Sequence, residues 1–174
     1  MFLVSEKLKV SLVTQHLPLK DVAAAISIEK ITGKIQQIHD SLIKDYRVRK
    51  PKIAVLGLNP HSGDNGLLGK EEQEIIIPAI ESIREKGMLV YGPYAADSFF
   101  NPENIEVFDA VLGMYHDQVL IPFKTLCFDD GVNYTAALPF VRTSPDHGVA
   151  YDIAGKNIAN PTSFTEAIYT AIEI

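Results

Sequence analysis

Ala110-Val-Leu-Gly-Met114 is an unbroken apolar run that ends in four polar-tipped side chains, Tyr115-His-Asp-Gln118. A strand without alternation has no face to offer water, so it belongs in a parallel sheet covered on both sides. Open sheets of that kind bind their ligands beyond the carboxyl ends of the strands. The run therefore delivers His116 and Asp117 to an edge where a reaction centre is expected. The competing reading is local: a histidine that caps or hydrogen-bonds its own strand–helix junction.

The rest of the chain alternates strand and helix in the same manner. Residues 9–14 are apolar and β-branched and lead into Gln15-His16-Leu-Pro-Leu19. A helical segment in two pieces comes next. Its longer piece starts at Ile28 with Ser27 as N-cap and runs to about Tyr46. Ile28, Ile31, Ile35, Ile38, Leu42 and Ile43 recur there at helical spacing and mark a buried face. After Pro51, residues 52–58 read as a second buried strand. Residues 59–69 are rich in glycine and turn formers. Lys70-Glu-Glu-Gln-Glu74 then opens a helix, its acids placed where the macrodipole favours them, and Gly87 stops it. Residues 91–97 read as a loop ending in Asp97. An apolar stretch carrying Lys124 comes after the Ala110 run. Residues 131–137 and 140–142 are strand-like, Thr143-Ser-Pro-Asp-His-Gly148 comes next, and residues 164–172 form a last helix.

Size and charge narrow the function classes. A chain of 174 residues, 47% hydrophobic, buries one substantial core. A net charge of −6 lacks the basic face that nucleic-acid binding needs. The single cysteine, Cys127, excludes an internal disulfide and a cysteine-rich zinc site. No apolar run is long enough to span a membrane and no secretory signal opens the chain, so the expectation is a cytoplasmic protein with no membrane partner.

Three of the strand-like runs are succeeded within about three residues by a histidine: His16, His61 and His116. Parallel strands align their carboxyl ends, so the three imidazoles can converge. Three nitrogen ligands and an open position make a catalytic site for zinc or a similar divalent ion. Alternatively, each histidine serves only its own loop. His39 falls inside the second helix and reads as a helix-surface residue. His147 sits in an Asp-His-Gly turn just past a strand and has no clear assignment.

Four segments carry a family resemblance: Thr14-Gln-His16-Leu-Pro-Leu, Gly57-Leu-Asn-Pro-His61-Ser-Gly, Met114-Tyr-His116-Asp-Gln and Leu138-Pro-Phe-Val-Arg142-Thr-Ser-Pro-Asp-His-Gly148. Together, and in this order, they resemble the PdxA family, the 4-hydroxythreonine-4-phosphate dehydrogenases of vitamin B6 (pyridoxine) biosynthesis. The resemblance implies an α/β fold like isocitrate and isopropylmalate dehydrogenase, a largely parallel sheet with flanking helices, one domain plus part of a second. It implies NAD as cofactor, a divalent metal (Zn, Mg or Co) on His16, His61 and His116, and a homodimer with the active site at the subunit interface. The residues matching those that hold the phosphorylated amino-acid substrate are Lys124, Asn133 and Arg142. Asp97 and Asp117 match acids near the reaction centre. Members of the family are longer, with an N-terminal region that contributes further substrate contacts, so residues 1–174 are expected to be a C-terminal portion with impaired activity on its own.

The chemistry agrees with that assignment on its own terms. Oxidising a secondary alcohol needs a hydride acceptor, a base for the hydroxyl proton and a Lewis acid on the oxygen. Asp117 or Asp97 suits the base, and a three-histidine metal suits the Lewis acid. A phosphate handle fits Lys124 as a point charge, Arg142 as a planar fork and Asn133 as an amide donor. Without the resemblance, Lys124 and Arg142 would read as solvated charges and Asp97 as a helix N-cap. Residues 57–69 offer a possible backbone surface for the cofactor or simply a turn, since no Gly-x-Gly-x-x-Gly occurs. Two other readings stay open. One is a phosphate-acetyltransferase-like acyltransferase working without metal; the other is a non-catalytic dimerisation or binding module.

Overall fold

Ala110 to Gly113 and Ile53 to Leu56 are buried on both faces because alternate side chains enter different cores. Ile53, Val55, Ala110 and Leu112 pack into one cluster, whereas Ala54, Leu56 and Val111 pack into the other. The computed structural model describes residues 1–146, 148 and 151–174; His147 lies outside the described residues.

In chain order the elements are β1 (Phe2–Val4), β2 (Lys9–Leu12), α1 (Leu19–Ala25), α2 (Ile28–Lys44) and β3 (Lys52–Leu56). A turn over Pro60–Gly66 and a π-helical segment over Glu72–Ile76 lead to α3 (Ile77–Arg84) and β4 (Leu89–Tyr94). Next come α4 (Ala96–Phe99), α5 (Pro102–Val107), β5 (Ala110–Gly113) and α6 (His116–Leu126). The chain closes with β6 (Val132–Tyr134), β7 (Thr143–Pro145) and α7 (Thr162–Glu173).

Among the described residues the strands form one seven-stranded sheet in the order β4-β3-β5-β2-β1-β6-β7. The β4-β3-β5-β2 half is parallel throughout, and the β2-β1-β6-β7 half is antiparallel. The sheet thus fits the expected largely parallel α/β fold, with an antiparallel part in which the hairpin β1–β2 reverses direction and β6 and β7 extend it. The reason is short connections, since Ser5 closes the hairpin by accepting the Leu8 amide on its hydroxyl at 3.1 Å.

Helix α2 behaves as its periodicity predicts. Ser27 accepts the Lys30 amide at 3.3 Å, and Ile31, Ile35, Ile38 and Leu42 are buried. Ile43, counted with that face in the sequence, is 44% exposed because it lies one residue past the stripe.

Two segments differ from the sequence reading, and a third, unassigned there, is helical. Residues 91–94 belong to strand β4 although they include Gly92-Pro93. As an edge strand, β4 tolerates a proline that cannot donate to a ladder. Gly92 adopts φ +135, and a Cβ there would run into the carbonyl oxygen of Val55. Residues 140–142 are not a strand; the pairing shifts to Thr143–Pro145, leaving Phe140 and Val141 exposed. The apolar stretch around Lys124 is helix α6, with Pro122 inside it. No helix among the described residues is long and apolar enough to cross a membrane.

Candidate active site

The three histidine-bearing segments leave the sheet from neighbouring strands. β3, β5 and β2 are adjacent and parallel, so His61, His116 and His16 lie just past the carboxyl ends of three consecutive strands. Buried polar side chains tie these ends together. Thr14, just after β2, donates its hydroxyl to the Met114 carbonyl at 2.7 Å. Gln118, in the first turn of α6, accepts the Met114 amide at 2.6 Å and donates to the Gly57 carbonyl at 2.6 Å. Glu72 accepts the Leu58 and Asn59 amides, both at 2.7 Å. Thr14, Gln118 and Glu72 are 5%, 8% and 2% exposed, so each of these bonds replaces water at an otherwise dry edge.

Beside this edge lies a groove of about 680 Å³. Five of the residues singled out in the sequence line it: His16, His116, Asp117, Lys124 and Asn133. The His16 and His116 ring centroids are 6.3 Å apart and tilted by 43°. Nδ1 of His116 lies 2.7 Å from Asp117 Oδ1, which turns Nε2 of the same ring toward other partners. A carboxylate on the second ring nitrogen is the usual way of fixing a metal-binding imidazole.

Farther along the groove, Lys124 Nζ donates to the Asp146 carbonyl at 2.9 Å and stands 3.4 Å from Asp146 Oδ2. Asn133 Oδ1 is buried and has no hydrogen-bond partner among the described residues. An orphaned amide oxygen is costly, so this position favours a ligand that can satisfy it.

The remaining candidates stand outside the groove. Asp97 is exposed in the first turn of α4 and lines an adjoining depression shared with Asp117. It is not an N-cap, because Ala95 holds that position without a side-chain bond. Arg142 is exposed and donates Nη1 to the Thr135 hydroxyl at 2.9 Å. His61 is exposed in the turn after β3, with φ +53. Among the described residues no set of three or more His, Cys, Asp or Glu side chains closes into a group able to hold a metal ion. Aligned strand ends are thus a weaker guide than expected, because the left-handed turn and not the strand sets the direction of His61. The donor chemistry still suits a divalent metal, with two imidazoles on one groove, a third on the next strand end and a carboxylate behind His116.

Two amides of the turn are already engaged. Leu58 and Asn59 direct their amides to Glu72, so those two groups are not a cradle for a cofactor. His39, read as a helix-surface residue, is instead largely covered: its side chain is 19% exposed, with Nδ1 buried 3.5 Å from Asp40. Sequence reasoning gave no role to Gln118, Thr14 or Asp146, and explained Glu72 by helix polarity alone. Gln118 was legible only as part of a motif, since its partner Gly57 lies 61 residues away.

A mixed α/β sheet with His16, His116 and Asp117 beyond the carboxyl ends of its parallel half is an open α/β fold whose candidate site lies where such sheets bind ligands. Residues 1–171 match the family model described as pyridoxal phosphate biosynthetic protein PdxA, and the chain belongs to that family. It is 55% identical over its full length to a 4-hydroxythreonine-4-phosphate dehydrogenase of Bacteroides thetaiotaomicron, covering 48% of that protein. It is 53% identical to one from Sulfurihydrogenibium, with 99% of this chain and 53% of the relative aligned. The crystal structure of the Klebsiella pneumoniae dehydrogenase of that name superposes with a TM-score of 0.84 at 40% identity, over 98% of this chain and 52% of that one. A terephthalate 1,2-cis-dihydrodiol dehydrogenase from Burkholderia xenovorans superposes with a TM-score of 0.78 at 27% identity, over 99% and 54%. The chain spans about half the length of the curated relatives it matches.

Proposed function

We propose that the chain is the C-terminal portion of an NAD-dependent 4-hydroxythreonine-4-phosphate dehydrogenase of vitamin B6 biosynthesis. The reaction is oxidation, with decarboxylation, of 4-phosphohydroxy-L-threonine to 3-amino-2-oxopropyl phosphate. The observation that carries this reading is one groove lined by His16, His116, Asp117, Lys124 and Asn133. Family membership supports it, and dehydrogenases among the solved relatives support the reaction class.

In this reading His16, His61 and His116 hold a divalent metal such as zinc, magnesium or cobalt, with ligands drawn from both subunits of a homodimer. When bound, the metal supplies a Lewis acid for the substrate oxygens. The side chains do the rest. Asp117 keeps one oxygen on His116 and offers the other to the hydroxyl proton as hydride leaves carbon for NAD. Asp97 stands beside the same depression as a second acid–base group. Lys124 meets the phosphate with the ammonium hydrogens not used on the Asp146 carbonyl. The Asn133 amide, turned half round, donates Nδ2 to a phosphate oxygen; unturned, its Oδ1 accepts from the substrate amine. Arg142 completes the phosphate site once it leaves the Thr135 hydroxyl.

The test is to mix the chain with divalent metal, NAD and 4-phosphohydroxy-L-threonine and monitor NADH. Metal-dependent NADH formation by this chain alone is expected to be slow, well below about 1 per second, and to disappear in Asp117→Asn and Lys124→Ala. Turnover of acetyl phosphate with coenzyme A, without metal and without NADH, would replace this reading by the acyltransferase one.

A further inference from the structure

We infer that Glu72 is a positioning residue for His61, acting through the turn that carries it. The inference rests on the proposed metal site and assigns a role to a side chain outside the groove.

Glu72 is a buried carboxylate, 2% exposed, with no cation among its hydrogen-bond partners. Its partners are the turn. Oε1 accepts the amides of Leu58 and Asn59, both at 2.7 Å, and Oε2 accepts Asn59 Nδ2 at 2.9 Å. These residues lie two and three positions before His61, so they set where the chain stands as it enters the turn. The turn also closes around the carboxylate. A Cβ on Gly63 would come within 2.6 Å of Oε2, and one on Gly57 within 3.1 Å of Oε1. Both positions are glycine, which leaves that space to Glu72.

The backbone from His61 onward needs holding. His61, Ser62, Asp64 and Asn65 all have positive φ, between +42 and +55, a region that non-glycine residues enter at a cost. A strained run persists only where its surroundings over-determine it. Besides the turn's own backbone bonds, such as Ser62 N–H on the Asn59 carbonyl at 3.1 Å, two side chains do so here: Glu72 at the entry, and the Ser62 hydroxyl on the Pro93 carbonyl at 3.1 Å. Only the first is ionic and anchors two consecutive amides. Removing it frees His61 without touching any groove residue.

The experiment compares the full chain with Glu72→Ala, which removes both carboxylate oxygens from the turn, and with Gly63→Ala, which crowds Oε2. Cobalt(II) alone is titrated by its visible absorption, and amide hydrogen exchange is measured residue by residue on the metal-free proteins. Both variants should bind cobalt about 10–100-fold more weakly, the usual effect of losing a group that orients a ligand. Exchange should quicken at residues 58–65 and stay unchanged in β5 and α2. Unchanged cobalt affinity with a loosened turn would overturn the inference, as would exchange that quickens throughout the protein. If the unmutated chain shows no cobalt binding that His61→Ala removes, the metal reading fails first and the inference falls with it. That failure appears before any Glu72 variant is measured.

Discussion

Gln118 donates its side-chain amide to the carbonyl oxygen of Gly57 at 2.6 Å, across 61 residues of sequence. The same side chain accepts the Met114 amide, so one residue joins the strand end leading to His61 with the one leading to His116. Gln118→Ala leaves both backbone groups buried and unpaired, at about 1–3 kcal/mol each. Urea unfolding should show that loss. Gln118→Glu should also destabilise, because its carboxylate faces the Gly57 carbonyl with no proton to give.

The buried face of α2 makes a second prediction. Ile35 is fully buried and Ile43 is 44% exposed, although both belong to the same run of isoleucines. Ile35→Ala should cost about 2–5 kcal/mol, and Ile43→Ala about 0.5 kcal/mol or less. Chemical denaturation of the two variants measures both values, and equal losses would mean that the stripe is misplaced.

These two predictions show what the sequence made legible. Period and apolarity located α2, β3 and β5, because each is long or apolar enough to carry its own signal. They did not reveal β1, whose three residues are defined by pairing with β2 and β6. They also missed β4, where Gly92-Pro93 looks like a turn but sits on an edge strand. The same division holds at the site. His16, His116, Asp117, Lys124 and Asn133 stood out by residue type and family pattern, and they share a groove. Gln118 and Glu72 act through backbone groups distant in sequence, and a pattern of residue types does not show which amides a side chain will meet.

A third prediction concerns the anion site. Arg142→Lys keeps the charge and removes the planar fork, so a phosphate-bearing ligand should weaken by about 1–3 kcal/mol. A matching ligand without phosphate, such as L-threonine, should respond much less. Calorimetric titration of the pair decides the point: equal effects would make Arg142 a structural residue tied to Thr135.

Alkaline pH gives the fourth. Burial, with its hydrogen bond to Asp45 second in size, pushes the Tyr134 hydroxyl from 10.0 up to about 12. Its neutral form is therefore favoured in the folded state. Stability from this group is complete below pH 10.0 and falls as pH rises toward about 12, because the unfolded tyrosine ionises first. Tyr134→Phe should flatten that decline while losing the 2.6 Å bond to Asp45 at every pH. Thermal melts of both proteins across this range make the comparison, and parallel slopes would contradict it.

Three strand ends, those bearing His16, His61 and His116, are proposed to serve one divalent metal, and everything else in the proposed chemistry depends on it. Elemental analysis of the purified chain and of two single variants tests this most directly. About one divalent ion per site is predicted in the unmutated protein, most of it lost in His61→Ala and retained in His39→Ala. Equal metal content in the two variants, or none in the unmutated protein after incubation with zinc and dialysis, would contradict it.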